Sequence, residues 1–180
     1  MVTKLRTFAL LGCCIAAVAC DNDDDNKRSL ATTDKTFVQD AARSNLTEIE
    51  FGALAATKGN TEMVREFGQH MVDEHTTAQN ELRDLANDYG NVDWPDGLDA
   101  QHQQIREQLM ETSGYSFDSL YMNSQVMDHQ MTLEIFNREI SGGTEQQVKT
   151  YAQKYQPHIQ MHHEKADSVF SVLLANPTSD

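Results

Sequence analysis

Val72-Asp73-Glu74-His75 and its echo Val126-Met127-Asp128-His129 each set an acid–His pair inside a long amphipathic segment, and these two stretches decide the fold. Around the first, Met71, His75, Ala78, Leu82, Leu85 and Tyr89 recur at spacings of four and three; around the second, Met122, Val126, His129, Leu133, Phe136 and Ile140 do nearly the same. That period is helical, and it puts each histidine on the apolar seam instead of the polar face. Two histidines therefore hold equivalent core-facing positions in two halves of the chain.

Outward from these seams, the chain divides into helices where turn chemistry interrupts it. Predicted helices 34–57 and 61–89 are separated by Gly59-Asn60, the glycine suited to a left-handed helix end and Asn60 to capping the next helix. A loop containing Trp94-Pro95-Asp96-Gly97 leads to a shorter helix, 98–111, whose apolar positions are Leu98, Ile105 and Leu109. After Ser113-Gly114-Tyr115-Ser116 comes helix 117–141, then Gly142-Gly143 and the capping box Thr144-Glu145-Gln146-Gln147, which opens a last helix to 174. Strand-like alternation is absent from the sequence. The first and last links are short and predict antiparallel hairpins, whereas the middle link, with about 20 Å of helix, can travel the length of the bundle. The expected architecture is all-α: a ferritin-like four-helix bundle spanning 34–176, with a short extra helix in the crossover.

Composition bounds what such a bundle does. A chain of 180 residues with 39% hydrophobic content supports one domain with a substantial core. A net charge of -14, with 14 Lys and Arg spread along the chain, excludes a nucleic-acid surface. Cys13, Cys14 and Cys20 all precede the predicted bundle, which therefore holds no structural disulfide.

Lys4 and Arg6 precede an apolar run, 7–19, too short for an ordinary membrane span and suited to a signal peptide covering 1–19. Ala17-Val18-Ala19-Cys20 resembles the lipobox of bacterial lipoproteins, in which Cys20 becomes the lipidated first residue. Leu10-Leu11-Gly12-Cys13 fits the local pattern better but leaves too little apolar run before it; a plain secretory signal is the other alternative. The polar, acidic stretch behind Cys20 predicts a disordered tether over 20–33. It also resembles sorting signals of surface-exposed lipoproteins, with a simple solvated linker as the alternative. The expected location is the bacterial cell envelope, anchored to membrane lipid through Cys20, in the outer membrane and facing either the periplasm or the surface.

Asn45-Leu46-Thr47-Glu48-Ile49-Glu50-Phe51-Gly52, Met71-Val72-Asp73-Glu74-His75, Phe117-Asp118-Ser119-Leu120-Tyr121-Met122, Met127-Asp128-His129-Gln130 and the stretch from Pro157 through His162 to Ala166 together resemble one family. It is the ferritin-like domain of unknown function 4142, found in exported bacterial proteins often labelled outer-membrane proteins. The likeness runs from Thr36 to Val172. Two departures stand out: Glu74, where the family usually has Asp, and His158, an extra histidine one turn before His162.

Depth along the helices predicts a site. Glu48, His75, His129 and His162 each lie about 18–26 Å into their helices, near the middle, so antiparallel packing brings them into one layer. Three imidazoles and a carboxylate suit a single transition-metal ion, Zn, Fe or Cu, with His158 as a fifth candidate. Pro157 is expected to kink the last helix beside it. Glu74 and Asp128 sit about 100° around the helix from their histidines and are expected to flank the ligands, while Tyr121 bonds into the layer or simply packs. Met71, Met127, Met131 and Met161 near these histidines favour copper if they ligate, and serve as core filler otherwise. His70, His102 and His163 receive no role, and Glu50 and Asp118 read as solvated or capping acids.

The paired Glu and Glu-x-x-His pattern of di-iron proteins is absent from the sequence, so iron storage does not follow from the fold. Neither a nucleotide nor an organic cofactor is suggested. The expected function is that of a metal-binding envelope lipoprotein in metal handling or oxidant defence. A structural or protein-interaction module without metal is the alternative, and enzymatic activity is left open.

Overall fold

The computed structural model describes residues 27–177. The signal peptide expected over 1–19, Cys20 and the first part of the tether lie outside the described residues. Five helices follow in order: α1 Thr32–Lys58, α2 Glu62–Ala86, α3 Ala100–Glu111, α4 Gly114–Gly142 and α5 Gln146–Ala175. Among the described residues there is no strand, only an isolated backbone bridge between Arg28 and Tyr89. No described helix is long and apolar enough to cross a membrane.

α1 packs along α2 and α4 along α5, as the short links require, and α1 lies against α4. α2 and α5 form the loosest of these four pairings, while α3 bridges α1 and α4 as part of the crossover. The α1–α2 approach is close because it is glycine against glycine. A Cβ at Gly52 would stand 2.6 Å from the Gly68 carbonyl, and one at Gly68 would stand 2.7 Å from Ala55 Cβ.

The apolar core is split in two. Phe37, Val38, Leu82, Phe136, Val148 and Tyr151 anchor one half, where the first part of α1 meets the last part of α2. Phe51, Val64, Met71, Phe117, Met122 and Val169 anchor the other. Between the two halves lies a band of buried polar side chains that includes Asn45, Glu48, His75, Gln125, Asp128, His129 and His162. The predicted mid-bundle layer thus exists, sandwiched by two hydrophobic plugs.

The ends of the helices depart from the sequence reading. Thr144 does not form a capping box with Gln147: its hydroxyl bonds Asp34 Oδ2 at 2.6 Å, and the Thr144 and Glu145 amides bond Asp34 Oδ1 at 2.7 and 3.0 Å. Burial alone would raise the pKa of Asp34, but these hydrogen bonds hold it below the ordinary carboxylate value. The other hairpin turn is built in the same way. Asn60 N and Thr61 N each bond an Asp118 oxygen at 2.8 Å, and Thr61 Oγ1 bonds Asp118 at 2.9 Å. Each hairpin therefore lends an acid from its first helix to organise the turn of the other. Thr61, not Asn60, is the N-cap of α2, and Asp118 is a capping acid, one of the two roles anticipated.

Gly59 has φ -51 and is not left-handed. The left-handed residue is Gly114, at φ 60, where α4 begins three residues earlier than expected. α2 stops at Ala86, short of Tyr89, and α3 starts at Ala100, where the Asp99 side chain accepts from the His102 amide at 3.0 Å. Finally, residues 30–33, expected to belong to the tether, are part of the fold. Leu30 is buried and exchanges hydrogen bonds with the Asn91 side chain at 2.9 and 3.0 Å, and helix starts at Thr32. An apolar residue that finds a buried slot ends the solvated segment.

Candidate metal centre

His75 on α2, His129 on α4 and His162 on α5 converge in the central band, and one nitrogen from each lies within 4.8 Å of the others. Their rings are 5.4 to 5.8 Å apart between centroids, and all three are 5% exposed or less.

The proton positions follow from groups whose polarity is fixed. His129 Nδ1 lies 2.9 Å from the Gln125 backbone carbonyl, which can only accept, so Nδ1 carries the proton and Nε2 the lone pair. For His75 the argument passes through a chain. Gln79 Nε2 donates to the Ala42 carbonyl at 3.1 Å and the Tyr151 hydroxyl to the Ala78 carbonyl at 3.3 Å, leaving Gln79 Oε1 and the Tyr151 oxygen as acceptors. Asn45 Nδ2 donates to both, at 3.3 and 3.2 Å, which turns Asn45 Oδ1 toward His75. His75 Nδ1 donates to that oxygen at 2.9 Å, so its Nε2 also bears a lone pair.

Neither His75 Nε2, His129 Nε2 nor either nitrogen of His162 has a hydrogen-bond partner among the described residues. Burial, and then the neighbouring rings His129 and His162, push the pKa of His75 well below its ordinary value. Burial lowers His129 to about 4 and, joined by His129 and His70, lowers His162 to about 3. The centre is therefore three neutral imidazoles, two with their tautomer set by the protein, a donor set suited to a borderline transition-metal ion. A bound ion would hold each nitrogen at about 2.0–2.1 Å. Small ring movements close the distance.

The other predicted ligands stand elsewhere. Glu48 is buried beside His129, but its Oε1 is 3.8 Å from Nδ1, the ring edge already committed to Gln125. The α1 residue that hydrogen-bonds one of the three rings is Asn45. Burial, then the Asp128 carboxylate, raises Glu48 to about 8. His158 lies one turn before His162 and is 46% exposed, its Nδ1 3.0 Å from Glu74 Oε2. It faces the seam between α2 and α5 at the surface and does not join the three buried rings. α5 runs on as helix through Pro157.

Asp128 and Glu74, expected to flank the histidines, do so by pairing outward. Asp128 Oδ1 is 3.4 Å from His102 Nε2, and Asp99 Oδ2 is 2.7 Å from His102 Nδ1. The bond from Asp128, together with that from Asp99, outweighs burial and raises His102 to about 9, so it is a cation held between two acids. His102 was given no role by the sequence. Only Asp99, three residues before it, signalled one partner. His70 was missed as well; its ring is 5.2 Å from that of His162. Tyr121 packs with Phe67 and Phe117, and its buried hydroxyl has no partner among the described residues.

With this geometry established, comparison with known proteins adds the lineage. A family model described as a domain of unknown function (DUF4142) matches residues 21–169. The chain belongs to that family. No curated protein and no solved structure matches it. In this DUF4142 bundle the residues that fix the histidines are as informative as the histidines themselves. If the three rings hold Zn2+, Asn45→Ala is expected to leave the protein helical and weaken that affinity about 10–100-fold, because His75 loses the acceptor that sets its tautomer. Competition with a chromophoric chelator measures the loss.

Proposed function

We propose that this protein binds one transition-metal ion between His75, His129 and His162, and serves metal handling or oxidant defence in the bacterial envelope. The observation that carries the reading is the convergence of three buried neutral rings whose free nitrogens have no partner among the described residues. Desolvated nitrogen lone pairs cost free energy unless something accepts them, and a cation is what three such acceptors share. Three protein ligands leave a position open on a tetrahedral ion, for water or a small anion.

The test is elemental analysis of protein purified without an affinity tag or added metal, followed by chelator stripping and titration with Zn2+. Wild type and the His163→Ala control are expected to gain melting temperature with Zn2+, because an ion that binds only the native state stabilises it. His75→Ala and His129→Ala are expected to lose that gain. An equal shift in wild type and the His75→Ala, His129→Ala double variant would make the layer a polar network that fixes helix register, without metal.

The location belongs to the same proposal. Cys20 carries lipid and holds the bundle on the outer membrane through the short acidic tether behind it, a reading supported by the lipobox-like Ala17-Val18-Ala19-Cys20. Cys20→Ser is expected to shift the protein from the detergent-rich to the aqueous phase on partitioning. Retention in the detergent phase would rule out lipid at Cys20.

A further inference from the structure

Three buried ligands need a way in for the ion. Two concavities reach the central band from opposite sides. The first, between α1, α3 and α4, is lined by Glu48, His102 and Asp128 and ends at Glu48, which stands on the Nδ1 edge of His129. It leads to the nitrogen that already carries a proton. The second lies between α2 and α5 and is lined by Glu74 and His158 and by His75 and His162. It connects a surface acid–imidazole pair to two of the three proposed ligands.

We infer that the Glu74–His158 pair is the loading port of the metal centre, an outer carboxylate–imidazole site that captures the incoming cation and passes it to His75 and His162. This inference rests on the three-histidine reading. Each port residue is built on the same helix as a ligand: Glu74 immediately precedes His75, and His158 is one turn from His162. The two side chains are 3.0 Å apart and 35% and 46% exposed, so they meet solvent on one side and the pocket on the other. The pocket has room for about one water molecule. An ion with its full hydration shell does not fit, and donors that replace that shell at the mouth lower the barrier to entry. A carboxylate and an imidazole are such donors for the metals a three-histidine centre takes. α2 and α5 are also the loosest of the bundle's four main pairings, so a passage opens there at the least loss of packing.

The port governs rate, not affinity, and that separates it from the centre. The experiment mixes metal-stripped protein with Co2+ in a stopped-flow instrument and follows the ligand-field absorbance of the bound ion. A chelator chase then gives release. Glu74→Gln with His158→Gln is expected to slow uptake and release about tenfold each, in the range set by losing an acid at a cleft mouth, and to leave the equilibrium constant unchanged. Asp73→Asn removes the same charge one residue away and is expected to leave both rates unchanged.

Unaltered rates in the Glu74, His158 double variant would overturn the port, as would equal slowing by Asp73→Asn, which would assign the effect to bulk charge. Slowing by Asp128→Asn alone would move the entrance to the α1–α3–α4 side. If wild-type protein takes up no Co2+, the metal reading itself fails and the port falls with it. If Co2+ binds normally and only the rates disobey, the centre stands and the port does not.

Discussion

Replacing Asp118 by Ala is expected to destabilise the bundle by about 3–5 kcal/mol, a large share of a typical domain's stability. The carboxylate is fully buried and accepts from Asn60 N, Thr61 N and Thr61 Oγ1 at 2.8 to 2.9 Å. Two of those donors are backbone amides at the turn that opens α2. Asn60 is exposed and Thr61 half-buried, so each amide that loses the acid costs the low end of about 1–3 kcal/mol, with a hydroxyl and a small cavity besides. Thermal unfolding should show a fall of about 10 °C for a domain of this size. Asp118→Asn keeps an acceptor oxygen and is expected to lose about half as much. A fall for Asp118→Ala no larger than that of an exposed control such as Asp73→Asn would mean that water replaces the acid at the turn.

Asp118 also shows where the sequence stopped being informative. Helical period and the pattern of breaks come from residues a few positions apart, so the five helices, the two hairpins and the crossover were legible from local spacing. The reciprocal caps were not, because Asp34 and its partners Thr144 and Glu145 sit at opposite ends of the chain. A local capping box looked sufficient at Thr144, and a better acceptor from α1 displaced it. The same distinction runs through the metal centre. His75, His129 and His162 each fall in phase with apolar residues three and four positions away, so phase and depth together predicted their meeting.

Glu48 was placed by depth on a helix whose inner face is mostly small residues, Ala41, Asn45, Gly52 and Ala55. Such a face is too featureless to say toward which edge of a neighbouring ring a carboxylate points. Depth put Glu48 in the right layer and on the wrong side of His129. His158 failed for the opposite reason: an i, i+4 pair shares a helix face, but a step of about 6 Å along α5 carries the earlier residue to where the α2–α5 seam opens to solvent. Asn45 was quoted within the family-like stretch Asn45 to Gly52 and given no role of its own. Its role depends on Gln79 and Tyr151 turning its amide, contacts 34 and 106 residues away in sequence.

The metal-stripped protein is expected to be most stable near pH 6.5 and to lose stability on both sides, for reasons that lie in the central band. On the acid side, His129 is lowered to about 4 and His162 to about 3, with His75 also well below 6.5. An unfolded chain takes up protons at these positions near pH 6.5 that the fold refuses, so stability is lost as pH falls from 6.5 toward 4 and 3. His129 alone accounts for about 3 kcal/mol of that loss. On the alkaline side the sign reverses. Glu48 is raised from 4.5 to about 8, so the fold holds a proton that the unfolded chain releases near pH 4.5. Its contribution therefore declines as pH rises from 4.5 and is fully unfavourable above 8.

Between 4.5 and 6.5 three histidines oppose two glutamates, Glu48 and Glu139, and stability still rises with pH. Above 6.5 Glu48 is joined by His102, raised to about 9, which keeps in the fold a proton that the unfolded chain releases. Glu48→Gln keeps the shape and removes one of these titrations, so it is expected to reduce the decline between pH 7 and 8 by about half and to leave the acid limb in place. Urea unfolding at half-unit pH steps, in the presence of a chelator, reads both limbs. Zn2+ should raise the curve and carry the acid limb on to lower pH, because a ring that holds the ion refuses the proton that the metal-free ring accepts near pH 4 or 3. An alkaline decline as steep in Glu48→Gln as in wild type would leave the proton on His102, held at about 9 by Asp128 and Asp99, and on Glu139, raised to about 7 by burial and by Asp34.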